Sequence, residues 1–370
     1  MIGAAAWLRF ADLGHKIIHA DEAVQGWKTG LLLEGEGYAY DPTDHHGPTL
    51  YYLAVPIAQL RGEDSLNDLT VTTLRILPAL AGVGVVALTA AGGFWLGGRG
   101  ALAAALVAAA SPMLVFYSRH FVQEMLLVLF SAAWVLALWR WLLGGRPAWL
   151  LIAGWALGLM IATKETWLIV VFATGMGSVA ALWCDRGLRA RAFSREAIVF
   201  GAGGLVAAAV VAAIIYTAAF SRPEVLGDVF KALLVGSERA GDGAGHAKPW
   251  SYYFTTLAWT RLRGFTYTEA GVFLLALASL PLAFRSPRGD SRTAASRFWL
   301  GYTGAMLMVY SLIPYKTIWL LCGAMHGLAM LAGLGVDTLL DRFRRPLSRS
   351  IVAIIAVGIL ADYAWQARRA

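Results

Sequence analysis

From residue 74 to the C-terminus the chain alternates long apolar runs with short polar breaks. Runs suited to crossing a bilayer core of about 30 Å fall at 74–97, 101–118, 125–143, 148–163, 166–184, 197–219, 270–284, 298–313, 318–336 and 350–362. Their length and lack of strand-like alternation predict helices. The last run is short, and Met1–Leu8, ahead of Arg9, is shorter still. A partly missing first helix is therefore expected, giving about eleven spans. Two longer polar and aromatic stretches, 15–73 and 220–269, interrupt the rhythm as large loops. The pattern predicts an all-α polytopic membrane protein, a single transmembrane domain over 1–370, with short amphipathic helices in its large first loop.

Composition agrees. At 58% hydrophobic and 15% charged residues, with a mean hydropathy of +0.61, the chain lacks the polar surface of a soluble domain. Its net charge of +8 does not point to nucleic acid, because the arginines cluster in short breaks between spans, as membrane orientation requires. Arg99, the pair Arg140 and Arg146, and the groups 186–195, 285–297 and 342–349 alternate along the chain and predict the cytoplasmic side. Cys184 and Cys322 offer neither a disulfide framework nor metal-ligand spacing. No cleavable signal peptide, Walker loop, dinucleotide fingerprint or HExxH pattern occurs, which excludes an NTP-driven pump and a zinc protease.

The opposite, extracytoplasmic side receives both large loops and the turns "YSRHFVQE", "ATKETW" and "IPYKTIW". All six lysines and six of the seven histidines fall there. Ionisable groups at a membrane boundary are costly and pair with something, so Arg119, Glu124, Lys164, Glu165, Tyr315 and Lys316 become site candidates. Arg and Lys suit phosphate oxygens, and a carboxylate suits proton removal from a hydroxyl.

Asp21 and Glu22 stand side by side before Ala23, Trp27 and Leu31, apolar positions at the spacing of a short surface helix. The doublet reads two ways. Asp is a favoured helix cap and first-turn acids complement the dipole, while the same carboxylates on the lysine-rich face could carry chemistry. "YAYDPTDHHGPTLYYL" adds Asp44, His45 and His46, which could hold a divalent cation although their spacing matches no standard zinc pattern. "GHAKPWSYY" places His246 where a loop enters an aromatic interfacial segment. His326, inside an apolar run, reads as a hydrogen-bonded interior residue.

Taken as a series, "HADEAVQGW", "DHHGPTLYYL", "YSRHFVQE", "ATKETW", "HAKPWSYY" and "SLIPYKTIWL" resemble the motifs of the bacterial and archaeal flippase-activity-associated family. That family is similar to the dolichyl-phosphate-mannose–protein mannosyltransferases of the GT-C glycosyltransferase superfamily. The resemblance runs from about Arg9 to Trp319. It implies a GT-C-like bundle that moves a sugar from a polyprenyl-phosphate carrier to a lipid, glycan or protein acceptor outside the plasma membrane. It makes Asp21 the catalytic acidic residue of the first loop and candidate base, with Glu22 its neighbour and Glu124 the second acidic position. Arg119, Lys164 and Lys316 become carrier-phosphate contacts. The chain departs from the pattern at its clipped first helix and at "WQARRA", where no soluble outer domain follows. Rival expectations are a flippase for lipid-linked sugars, although transporters favour midplane sites and internal repeats, and a non-catalytic scaffold of an export complex.

Overall fold

The computed structural model describes residues 1–37, 40–43, 46–242, 245–262, 264–284 and 290–369. A short first helix, α1 (Ile2–Phe10), leads into the first loop, whose two helices are α2 (Ala20–Leu33) and α3 (Thr49–Leu60). The bundle follows with α4 (Val71–Ala91), α5 (Gly93–Leu96), α6 (Gly98–Ala110), α7 (Pro112–Tyr117), α8 (Glu124–Leu142), α9 (Ala148–Ile161) and α10 (Trp167–Trp183). Next come α11 (Arg186–Ala192) and α12 (Arg195–Tyr216). The second loop carries α13 (Leu226–Asp242), α14 (Tyr252–Ala258) and a hairpin of β1 (Thr260–Leu262) and β2 (Phe265–Tyr267), paired antiparallel. The chain ends with α15 (Ala270–Leu277), α16 (Leu280–Ala283), α17 (Ser291–Leu312), α18 (Cys322–Arg342) and α19 (Pro346–Arg369).

This is an all-α multi-pass membrane protein. Among the described residues five helical segments are long and apolar enough to cross a bilayer, beginning at Val71, Glu124, Arg195, Ile318 and Pro346, and shorter apolar helices pack between them. Three apolar runs differ from expectation. The run 101–118 breaks at Ser111–Pro112: Pro112 cannot donate a helical hydrogen bond, and the Ser111 hydroxyl accepts from Leu114 N to start α7. The run 270–284 breaks ahead of Pro281 into α15 and α16. The final run, read as short, is a helix of 24 residues.

Helices approach closely where side chains are small, the way apolar helices associate without a hydrophobic driving force between them. A Cβ on Gly154 of α9 would lie 2.0 Å from the Gly204 carbonyl oxygen of α12. A cluster of aromatic rings fills the bundle interior, with Trp95 stacked on Trp139 at 4.2 Å and Trp299 beside both Trp95 and His326. His326 is buried and meets the Thr89 hydroxyl at 3.0 Å, an interior residue as expected. At the arginine-rich end, Arg99 and Arg292 converge on Asp337 and Asp341, tying α6, α17 and α18 together.

Candidate active site

The doublet Asp21–Glu22 divides its work. The N-cap of α2 is His19, whose Nδ1 accepts from Asp21 N at 3.2 Å, and Glu22 reaches back to His19 N at 3.0 Å, completing a capping box. Glu22 is only 1% exposed. Arg75 of α4 grips it through two bonds of 2.8 and 2.7 Å, and Phe121 N donates a further 2.8 Å bond. Burial pushes its carboxyl up, but Arg75 and the backbone donors outweigh burial and hold it below the usual carboxylate range. Arg75 also donates to the carbonyls of Leu13, Lys16 and Ile17, so one guanidinium pins the start of the first loop to α4.

Asp21 sits one residue earlier with half its side chain exposed, and it lines a cavity of about 620 Å³. Its carboxylate lies 3.7 Å from His19 Nδ1. That nitrogen also accepts from Asp21 N in the capping box. Among the described residues Asp21 has no lysine or arginine partner.

The three short turns singled out in the sequence meet at this cavity. Glu124, first residue of α8, places its carboxylate at the positive end of a helix dipole and pairs with Lys164 from the α9–α10 turn, both buried. Glu165, beside it, accepts from Tyr40 OH at 3.4 Å and meets His46 Nδ1 at 2.6 Å. Burial raises the Glu165 carboxyl, yet His46 wins and holds it low. The first loop docks here on backbone as well: Thr49 bonds the Ala162 carbonyl through its amide at 3.3 Å and its hydroxyl at 2.7 Å. Gly47 allows that approach, since a Cβ there would lie 2.1 Å from Ala162 O. Tyr315 completes the wall from the third turn. The backbone of 246–248 pairs with that of 314–316, and the His246 ring meets Tyr315 edge-on at 5.1 Å.

Other candidates lie elsewhere. Arg119 donates to the carbonyls of Leu8 and Asp12 and does not line the cavity. Lys316 is buried, turns its ammonium onto the Ile313 carbonyl, and is held below its ordinary pKa by desolvation. Both side chains bond backbone carbonyls. Of the metal candidates, Asp44 and His45 lie outside the described residues, and His46 is committed to Glu165. Among the described residues no group of three or more His, Cys, Asp or Glu is arranged to hold a metal.

Sequence reasoning missed α13 and Arg239. One face of α13 covers the cavity, and Arg239 lines it while donating to the Thr43 carbonyl. Among the described residues no carboxylate pairs with Arg239. The signal was present: Leu226, Phe230, Leu233 and Leu234 recur at helical spacing within a stretch read only as loop. Glu124 and Glu165 are thus matched by Lys164 and His46. Among the described residues, Asp21 keeps no lysine or arginine partner and Arg239 no carboxylate.

Residues 45–217 match the sequence model of a family described as dolichyl-phosphate-mannose-protein mannosyltransferase. In structure the chain is similar to ArnT from Cupriavidus metallidurans bound to undecaprenyl phosphate. The TM-score is 0.68 at 18% identity, covering 98% of this chain and 62% of that one. It is also similar to the archaeal oligosaccharyltransferase AglB from Archaeoglobus fulgidus in complex with an inhibitory peptide and a dolichol-phosphate. Here the TM-score is 0.62 at 14% identity, covering 100% of this chain and 54% of that one. The chain therefore spans less than two thirds of the length of either protein. Comparison with proteins of curated function gave no match. The narrower likeness to flippase-activity-associated proteins finds no support among these matches. Partial family match and whole-chain fold together give this membrane protein the GT-C glycosyltransferase fold and relate it to the mannosyltransferases.

Proposed function

We infer that the protein is a membrane glycosyltransferase that moves a sugar from a polyprenyl-phosphate carrier to an acceptor hydroxyl. The observation that carries this reading is the Asp21 carboxylate, without a lysine or arginine partner among the described residues, in the same cavity as Lys164 and Arg239. Asp21 takes the acceptor O–H proton as the acceptor oxygen bonds to the anomeric carbon. The carbon–oxygen bond to the carrier breaks, and its electron pair leaves with the phosphate. Arg239 and Lys164 face that developing charge, and fixed charge aimed at a leaving group is typically a large catalytic term. Glu124 acts by holding the Lys164 ammonium in place, and Glu165 by holding His46. Glu22 anchors the helix that presents Asp21. A single displacement inverts the anomeric centre, so a product with retained configuration would contradict this route.

The mannosyltransferase-related stretch and the carrier lipids bound by the two structural relatives support the choice of donor. With the arginine-rich breaks facing the cytoplasm, the cavity opens to the outer side of the plasma membrane. A flippase is the rival from another class. Proteoliposomes loaded with radiolabelled polyprenyl-phosphate mannose and a membrane-extract acceptor separate the two. Transfer predicts labelled acceptor and free polyprenyl phosphate. Intact labelled lipid that only changes leaflet would contradict it.

A further inference from the structure

Between the acids of the cavity lie two neutral amides that the chemistry above leaves unused. Gln25 stands one turn after Asp21 on α2, and residues four apart share a helix face. Gln123 immediately precedes Glu124 at the start of α8. Both line the cavity, yet they are only 4% and 1% exposed. Buried amides persist where hydrogen bonds fix them, and an unpaired polar group in such a place is costly.

Their bonding is directional. Gln25 Oε1 accepts from the Tyr51 hydroxyl of α3, itself fully buried, and from Gln123 Nε2 at 3.2 Å. Among the described residues, Gln25 Nε2 and Gln123 Oε1 have no further partner. The pair therefore offers one amide donor and one amide acceptor to the cavity. Turning both amides over together exchanges the two ends and leaves the same offer. A phosphate wants cations. A neutral donor beside a neutral acceptor instead suits neighbouring alcohol groups, each of which donates and accepts.

We propose that Gln25 and Gln123 form a clamp for hydroxyls of the transferred sugar, oriented by Tyr51 and set between Asp21 and Glu124. The assignment rests on the glycosyl-transfer reading above. It makes the two glutamines specificity-determining residues and Tyr51 a positioning residue.

The test is binding by purified protein in nanodiscs, with undecaprenyl phosphate and undecaprenyl-phosphate mannose as the two probes. The wild type is expected to prefer the mannosylated lipid. In Gln25→Leu and Gln123→Leu that preference falls about tenfold, the scale of one or two lost hydrogen bonds, while affinity for the bare carrier is unchanged. Gln25→Leu strands the Tyr51 hydroxyl, so the double variant Gln25→Met/Tyr51→Phe serves as its companion, removing donor and acceptor together. A merely structural role would shift both probes equally. Unchanged preference for the mannosylated lipid in these variants, or none in the wild type, overturns the clamp alone. Failure of the wild type to bind the bare carrier overturns the glycosyl-transfer reading and the clamp with it.

Discussion

Two neighbouring carboxylates with opposite fates set the terms at the scale of single residues. Glu22 accepts four hydrogen bonds in a buried setting and Asp21 has none from a lysine or arginine. Breaking a buried, hydrogen-bonded ion pair by removing one partner costs about 3–5 kcal/mol. Glu22→Gln should therefore show its loss in thermal unfolding of the solubilised protein. An unshifted unfolding midpoint would return Glu22 to the list of free acids. The sequence made both residues visible, as it did Glu124, Lys164 and Glu165. It could not say which acid was free, because the deciding partner, Arg75, lies 53 residues away and reads as the edge of an apolar run. Arg119 and Lys316 were visible in the same way, and what they bond, backbone carbonyls of Leu8, Asp12 and Ile313, was not. A basic residue at a span boundary looks alike whether it meets a ligand or a backbone carbonyl.

Among the elements, the first loop is fastened at two points, and each gives a prediction. Glu22 and Glu63 both have carboxyls held below their usual range. In both, hydrogen bonds overcome burial, with Arg75 foremost for Glu22 and the Thr73 hydroxyl for Glu63. A lowered folded pKa contributes stability above the unfolded value, about 4.3 for glutamate, and that stability is lost as pH falls through the folded value. Protection of α2 from proteolysis should hold at pH 7 and 5 and fail at lower pH. Loss of protection between pH 7 and 5 would contradict the sign. At the second point, Gly47→Ala meets the Ala162 carbonyl and should push His46 and its strand of loop off Glu165. Misplacement by about 1 Å can cost about a hundredfold in rate. Transfer activity should fall by about 10- to 100-fold with little change in expression, whereas wild-type activity would show that the loop tolerates the shift. Elements with strong apolar signals were legible, including α4, α8 and α12. The breaks at Pro112 and Pro281 were encoded too, but run length alone overrode them. Helix α13 was hidden because it lies within a long polar stretch: Leu226, Phe230 and Leu234 are exposed, and it covers the cavity with Ala232, Leu233 and Gly236.

The whole molecule has two chemically distinct ends. One gathers the cavity with its carboxylates and lysines. The other gathers Arg99, Arg292, Asp337 and Asp341, with Arg191 and Trp141 sharing Glu196 nearby. Cys184 is exposed at the arginine end, and Cys322 is buried. A membrane-impermeant maleimide should label Cys184 in inside-out vesicles and not in intact spheroplasts. Labelling of intact spheroplasts would reverse the orientation. The bundle and its two ends were legible because bilayer thickness and arginine placement are written directly in the chain. Closure of the loops over the cavity was not, since it depends on contacts such as Arg239 with Thr43 that no local pattern announces.

In the proposed transfer, Asp21 alone of the doublet is the base. The most direct measurement compares Asp21→Asn with wild type in single-turnover transfer from radiolabelled polyprenyl-phosphate mannose, normalised to folded protein. General-base catalysis contributes about 10²- to 10⁴-fold, so Asp21→Asn should lose at least a hundredfold in rate while its unfolding midpoint and carrier affinity stay at wild-type values. Transfer by Asp21→Asn at the wild-type rate would show that Asp21 is not the base.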